Sequence, residues 1–323
     1  MRKNIKEDSL NKPINQLQLF GYEDYFNSFK KIFEKDMMPN SILISGQKGI
    51  GKSTFIYHFI NYLLSKNEKD EYLLSNFSIN PDSSTYKLMI ANTHPNFFII
   101  KNEDTNKSIK IEQIRLLNKF LNKTSYKKNL KVVMIDDAEL LNLNSANALL
   151  KTLEEPTKNT FFFLIKNNNF KILDTIKSRC TEFKFSFKIS EKTSIFKKII
   201  NLYSDIKDTD ELINYLKFDT PGNLIKYSFI LQKKNLTLTN DKLKTIFLFI
   251  DEYKLKKDLE LLNFIKIFIE KFYNELFLKN LNNFNMYFFN LISILKKIND
   301  MKKYNLDEKN TFLWIENILI NEN

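Results

Sequence analysis

Glycine is scarce in this chain of 323 residues. There are five, and three of them, Gly46, Gly49 and Gly51, fall within six consecutive positions. They belong to Gly46-Gln47-Lys48-Gly49-Ile50-Gly51-Lys52-Ser53, a complete G-x-x-x-x-G-K-[ST] phosphate loop. The flanking pattern suits it. Residues 41–45 read as a buried strand running into the loop, and residues 52–65 leave it as a helix with Phe55, Ile56, Phe59, Ile60 and Leu63 on one face. Glycine lets backbone amides approach a phosphate closely, and the helix N-terminus adds free N–H groups and partial positive charge. Lys52 is then placed to neutralise the β- and γ-phosphates of ATP or ADP and Ser53 to ligate Mg²⁺, with Thr54 a further nucleotide-binding candidate beside them.

A magnesium site of this kind takes a second protein ligand from the end of another strand. Residues 131–135 are such a strand and end in Asp136-Asp137-Ala138-Glu139. Asp136 is the candidate Mg²⁺ carboxylate. Asp137 stands where a water-activating acid is expected, one methylene shorter than Glu. The alternative for both is capping of the next helix. Downstream, residues 144–156 read Asn-Ser-Ala-Asn-Ala-Leu-Leu-Lys-Thr-Leu-Glu-Glu-Pro, a helix that Asn144 or Ser145 can cap and Pro156 stops. A strand at 161–165 follows, with Asn167 at its tip. Then comes Ser178-Arg179-Cys180, holding the only cysteine and one of three arginines.

Strands at 41–45, 96–101, 131–135, 161–165 and 182–187 alternate with helices at 52–65, 110–122 and 143–154. That alternation predicts an α/β fold, a parallel sheet with helices on both faces. From about 190 the period becomes helical, over 210–218, 242–255, 259–278 and 284–298, with a break at Asp219-Thr220-Pro221-Gly222. The expected organisation is a nucleotide-binding core over 1–188, a helical lid over 189–235 and an all-α domain over 236–323. A single cysteine excludes an internal disulfide framework and a zinc site built on several thiolates. The N-terminus lacks an apolar leader, and the longest apolar helix pattern is interrupted by Lys266, Glu270, Lys271 and Glu275. These features predict a cytoplasmic protein with no membrane contact. The net charge of +12 permits a polyanionic partner.

With these motifs in view, the chain resembles the AAA+ clamp-loader family of bacterial DNA polymerase III, most closely its delta prime branch. The strand ending in Asp136-Asp137-Ala138-Glu139, the Ser145–Pro156 stretch and Ser178-Arg179-Cys180 carry the likeness, supported by Phe20-Gly21 and His94-Pro95. It is strong over about 17–187; beyond, only Thr220-Pro221-Gly222 anchors it. The resemblance implies an AAA+ core, a lid and a helical collar through which subunits assemble. It also implies gamma/tau and delta subunits as partners, with a sliding clamp loaded onto primer–template DNA by ATP. It makes Arg179 an arginine finger acting on a neighbour's nucleotide and Asn167 a sensor residue. Ser108 and Lys110, at the start of the 110–122 helix, become candidates for non-specific phosphate contact with DNA. Lys101, Lys107, Lys119, Lys123, Lys127 and Lys128 crowd the same segment, for which the alternative is a solvated face. Several residues depart from the family's motor subunits. There is no four-cysteine module between the loop and Asp136, so no zinc is expected. Asp137 replaces a glutamate, and Asn223 stands where many members place an arginine. These departures predict a subunit whose own ATPase is weak or absent. Two other readings stay open, an autonomous AAA+ motor and the gamma/tau subunit itself. His58, His94 and Cys180 are read as structural.

Overall fold

The computed structural model describes residues 12–101, 108–123, 130–202, 209–234, 238, 241–257 and 259–322. The chain divides into two units, one of Met1–Ser204 with Thr220–Asn223, the other of Asp205–Asp219 with Leu224–Asn323.

In the first unit the order of elements is α1 (Glu23–Glu34), β1 (Ser41–Gly46), α2 (Lys52–Ser65), α3 (Ser84–Ile90), β2 (Phe97–Ile100), α4 (Ile111–Leu121), β3 (Lys131–Ile135), α5 (Leu143–Glu154), β4 (Thr160–Asn167), α6 (Asp174–Lys177), β5 (Thr181–Lys184) and α7 (Ile189–Ile200). The five strands pair in the order β2-β3-β4-β1-β5, every pairing parallel. This is the α/β class expected from the sequence. β1, β3 and most of β4 are apolar runs because both sheet faces are covered.

Side chains alternate between those faces along each strand. Ile42 and Ile44, Val132 and Met134, and Phe163 and Ile165 enter one core with α1 and α2. Leu43, Val133, Ile135, Phe162 and Leu164 enter the other with Ile114, Leu117, Leu149 and Leu153 of α4 and α5. The first core is rich in rings: Phe29 meets Phe55 edge-on at 5.2 Å, and Phe26 stacks on Tyr72 at 5.2 Å. The second is mainly aliphatic.

Local signals differ from expectation at four places. The helix following the loop was expected to bury one face; α2 is buried from Phe55 to Ser65 without interruption. It lies between the sheet, α1, α3 and a short turn at Pro13–Asn15. α5 is capped by Asn142 rather than Asn144 or Ser145, with Asn142 Oδ1 accepting from the Ser145 amide at 2.8 Å. β5 spans Thr181–Lys184 rather than 182–187, although the Phe185 amide still donates to Ser45 O at 2.8 Å. Lys131, a cation inside a strand, extends to the C-terminus of α4 and donates to Phe120 O at 3.2 Å and Leu121 O at 2.6 Å. The last carbonyls of a helix are short of intrahelical donors; Phe120 O also accepts the Lys123 amide at 3.2 Å, and a cation there meets the negative end of the helix dipole.

The second unit is helical. Its elements are α8 (Thr209–Tyr215), α9 (Pro221–Lys234, its first turn belonging to the other unit), α10 (Lys242–Lys256), α11 (Leu259–Lys279), α12 (Phe284–Tyr304) and α13 (Glu308–Asn321). α10 packs on α11 and α13, and α12 packs on α11 and α13. Phe249, Phe264 and Phe268 form a buried ring cluster, with Phe249 and Phe264 stacked at 5.0 Å. Among the described residues no helix is long and apolar enough to cross a membrane.

Candidate nucleotide-binding site

The loop from Gly46 to Gly51 joins the end of β1 to the start of α2, the strand–loop–helix context in which such a motif works. Gly51 caps α2 with φ +100°, and Gly49 has φ +80°. At Gly49 space forbids a side chain as well, since a Cβ there would lie 2.4 Å from Thr220 Oγ1. The segment Thr220–Asn223 therefore lies against the loop: Thr220 Oγ1 donates to Lys48 O at 2.9 Å and the Gly222 amide donates to Gly49 O at 2.8 Å. The residue pattern alone reads this segment as a break between helices, and the resemblance sets Asn223 where many members place an arginine. Two further contacts hold the loop, from Tyr22 Oη to Ile50 O at 3.0 Å and from Lys192 Nζ to Gln47 Oε1 at 2.5 Å.

Lys52, Ser53, Asp136, Asp137 and Asn167 are brought together, as the motifs predict. The parallel register of β1 and β4 sets Asn167 beside Gly46, so its side chain faces the loop lysine. Lys52 Nζ donates to Asn167 Oδ1 at 2.9 Å, Gly46 O at 3.0 Å and Gln47 O at 2.8 Å. Burial lowers the Lys52 pKa to about 8, opposed by the nearby carboxylates of Asp136, Glu139 and Asp137. Ser53 Oγ lies 2.9 Å from both carboxylate oxygens of Asp136. Burial and the neighbouring Asp137 push the Asp136 carboxyl up to about 6, against the hydrogen bonds from Ser53 and the Asp137 amide. Thr54 follows, partly exposed, in the first turn of α2.

Asp137 lies in the left-handed region at φ +51°, and a 3₁₀ turn, Ala138–Leu140, follows it. This bend brings a residue that motif reasoning left unassigned into the site. Glu139 Oε1 accepts from Asn167 Nδ2 at 2.5 Å and from the Asn167 amide at 3.2 Å, while Asp137 Oδ1 accepts from Nδ2 at 3.1 Å. The available signal was the acid spacing in Asp136-Asp137-Ala138-Glu139, which without the bend reads as a helix start.

The remaining candidates lie elsewhere. Arg179 Nε donates to Glu154 Oε1 at 2.5 Å and Nη1 to Thr175 O at 2.8 Å. Its ion-pair partner is thus Glu154 of α5 rather than a neighbour in sequence; Glu182 faces Lys177 at 3.9 Å. Ser108 and Lys110 are exposed on either side of buried Ile109, whose amide donates to Leu140 O at 2.8 Å. Lys107, Lys127 and Lys128 lie outside the described residues. Among the described residues no group of three or more His, Cys, Asp and Glu side chains is arranged to hold a metal ion. Burial raises the Cys180 thiol to about 12, which keeps it protonated, and its side chain packs against the aliphatic core.

A family model described as DNA polymerase III, delta subunit, matches residues 21–188, just over half of the chain. The chain belongs to this family. The resemblance read from the motifs is borne out by its relatives. DNA polymerase III subunit delta' of Pseudomonas aeruginosa is 35% identical over 143 residues, covering 44% of this chain and 42% of that protein. Its counterpart in Buchnera aphidicola subsp. Schizaphis graminum is 31% identical over 212 residues, covering 64% of this chain and 62% of that one. The chain spans about half the length of the curated relatives it matches. A DNA polymerase III gamma subunit-related protein of Thermotoga maritima aligns with a TM-score of 0.52, over 91% of this chain and 97% of its own, at 20% identity. A likeness at that identity speaks to fold alone.

Proposed function

We propose that this delta-family chain is a clamp-loader subunit of the DNA polymerase III holoenzyme, holding Mg-ATP or Mg-ADP at residues 46–54. In this reading it assists ATP-driven loading of a sliding clamp onto primer–template DNA. The observation that carries the proposal is the convergence of Lys52, Ser53, Asp136 and Asn167 at the end of a parallel sheet. The residues fit the ion. Magnesium keeps several waters and phosphate oxygens and needs one or two protein ligands, and Ser53 and Asp136 already lie side by side. Lys52 would exchange its bonds to Gly46 O and Gln47 O for phosphate oxygens. The bound ion would neutralise charge between the β- and γ-phosphates.

Own turnover is expected to be slow. Asp137 is short for orienting water and Asn223 carries no charge toward a γ-phosphate. Arg179 instead would serve as a finger for a neighbouring subunit's nucleotide. Its planar fork suits a phosphate, and the ion pair with Glu154 that it must release is exposed and weak. Ser108 and Lys110 would touch DNA phosphates without reading sequence. The proposed domains are a core over 1–188, a lid over 189–235 and a collar over 236–323, with no zinc. Exposed Phe288, Phe289 and Ile292 on α12 support an assembling role for the collar. The partners would be the gamma/tau and delta subunits. Co-purification of the tagged chain with those subunits, in fixed stoichiometry and resistant to moderate salt, is the expected result. Recovery of the chain alone after co-expression would contradict the reading.

A further inference from the structure

The hydrogen-bonding capacity of Asn167 is already committed. A side-chain amide has two N–H donors. In Asn167 these face Asp137 Oδ1 at 3.1 Å and Glu139 Oε1 at 2.5 Å, while its Oδ1 accepts from Lys52 Nζ at 2.9 Å. The charges fix this orientation of the amide: its nitrogen faces two carboxylates and its oxygen an ammonium. Glu139 Oε1 also takes the Asn167 backbone N–H at 3.2 Å, so Glu139 holds the residue by main chain and side chain together. No side-chain N–H of Asn167 is left for a phosphate.

We infer that Glu139 is a specificity-determining positioning residue: by holding the Asn167 amide it prevents that amide from sensing a γ-phosphate, so the loop takes ATP and ADP almost equally. The inference rests on the nucleotide reading above. A carboxylate and a phosphate oxygen are both charged acceptors, so exchanging one for the other gains little. Asp137 alone occupies one donor and leaves the second available; Glu139 closes it. The other oxygen of Glu139, Oε2, is buried without a hydrogen-bond partner. An orphaned acceptor is unfavourable, so removing this carboxylate relieves one cost while breaking the bonds to Asn167. Glu139→Ala is therefore expected to fold.

The test is calorimetric titration of the full chain with Mg-ATP and with Mg-ADP. The proteins compared are the parent, Glu139→Ala, Glu139→Gln, and Glu139→Ala combined with Asn167→Ala. The parent is expected to hold the two nucleotides within about threefold of each other. Glu139→Ala should favour ATP by roughly tenfold or more, the scale of a hydrogen bond to a charged group. Glu139→Gln keeps an acceptor oxygen but loses its charge, and should shift the ratio the same way by about threefold. The gain should vanish when Asn167 is also removed. A parent that already favours ATP tenfold, an unchanged ratio in Glu139→Ala, or a gain that survives loss of Asn167 would overturn the inference. Should Glu139→Ala not fold, an unchanged ratio in Glu139→Gln overturns it. Binding with the wrong ratio sinks this inference only. Absence of binding by every protein sinks the nucleotide reading, and this inference with it.

Discussion

Lys52 and Arg179 carry the same charge in opposite surroundings. Lys52 is 5% exposed, its ammonium bound to Gly46 O, Gln47 O and Asn167 Oδ1. Desolvation lowers its pKa to about 8 even with three carboxylates nearby. The side chain of Arg179 is 32% exposed and pairs with Glu154, itself 46% exposed. A buried cation surrounded by its own loop is organised in advance for a ligand entering that loop. An exposed pair contributes about 0–1 kcal/mol and is readily exchanged for another anion. In the proposed reading the interior cation would serve the chain's own nucleotide and the exposed one a nucleotide carried by another subunit.

The largest expected effect breaks the exposed side of this comparison. In a reconstituted loader, Arg179→Ala should lower turnover at the one neighbouring site it completes by about 10³-fold or more, the range of an arginine finger, and so depress DNA-stimulated ATPase and clamp loading of the complex. The isolated variant should keep the parent's stability within about 1 kcal/mol and its own nucleotide affinity. Full activity of the complex would make Arg179 a structural residue.

A smaller effect probes the interior, on the helix that carries Lys52. His58 is fully buried on α2, with Nε2 2.8 Å from Gln16 O and Nδ1 3.0 Å from Tyr72 Oη. The carbonyl can only accept, so Nε2 carries the proton and Nδ1 accepts from the tyrosine. Burial lowers the imidazole pKa to about 4, against the bond to Gln16 that favours the charged form. The folded pKa lies below the unfolded value of about 6.5, so the unfolded chain binds more protons between them. Stability from this group is present above pH 6.5 and is lost as pH falls toward 4. About 2 kcal/mol should go between pH 7 and pH 5. Denaturant midpoints at both pH values should show a shallower acid loss in His58→Gln than in the parent. Equal losses would contradict the assignment.

What was legible in the sequence follows the range of the interactions involved. The loop, Asp136 and Asn167 were visible because strand ends and a glycine pattern place them locally, and a parallel sheet then aligns their tips. Apolar runs also gave the strands of the sheet and the period of α4 and α5. Glu139 was missed because its role depends on a left-handed residue at Asp137, which a run of acids does not announce. Glu154 was missed as the partner of Arg179 because their meeting depends on how α6 packs against α5, 25 residues apart. Lys131 opens its strand by pattern, and its contact with the carbonyls at the end of α4 depends on where that helix stops. Burial of α2 on almost every side required α1, α3 and the Pro13–Asn15 turn to cover it, and period alone showed only the face toward the sheet.

The most direct test of the account is nucleotide binding by the chain itself. Mg-ADP and Mg-ATP should each give a saturable calorimetric isotherm with the parent. Lys52→Ala should weaken both by about 10²-fold or more, because it removes a charge-assisted contact from a buried site. Equal affinity of Lys52→Ala and parent, or a folded parent that binds neither nucleotide, would contradict the assignment of the Gly46–Ser53 loop as a working phosphate site.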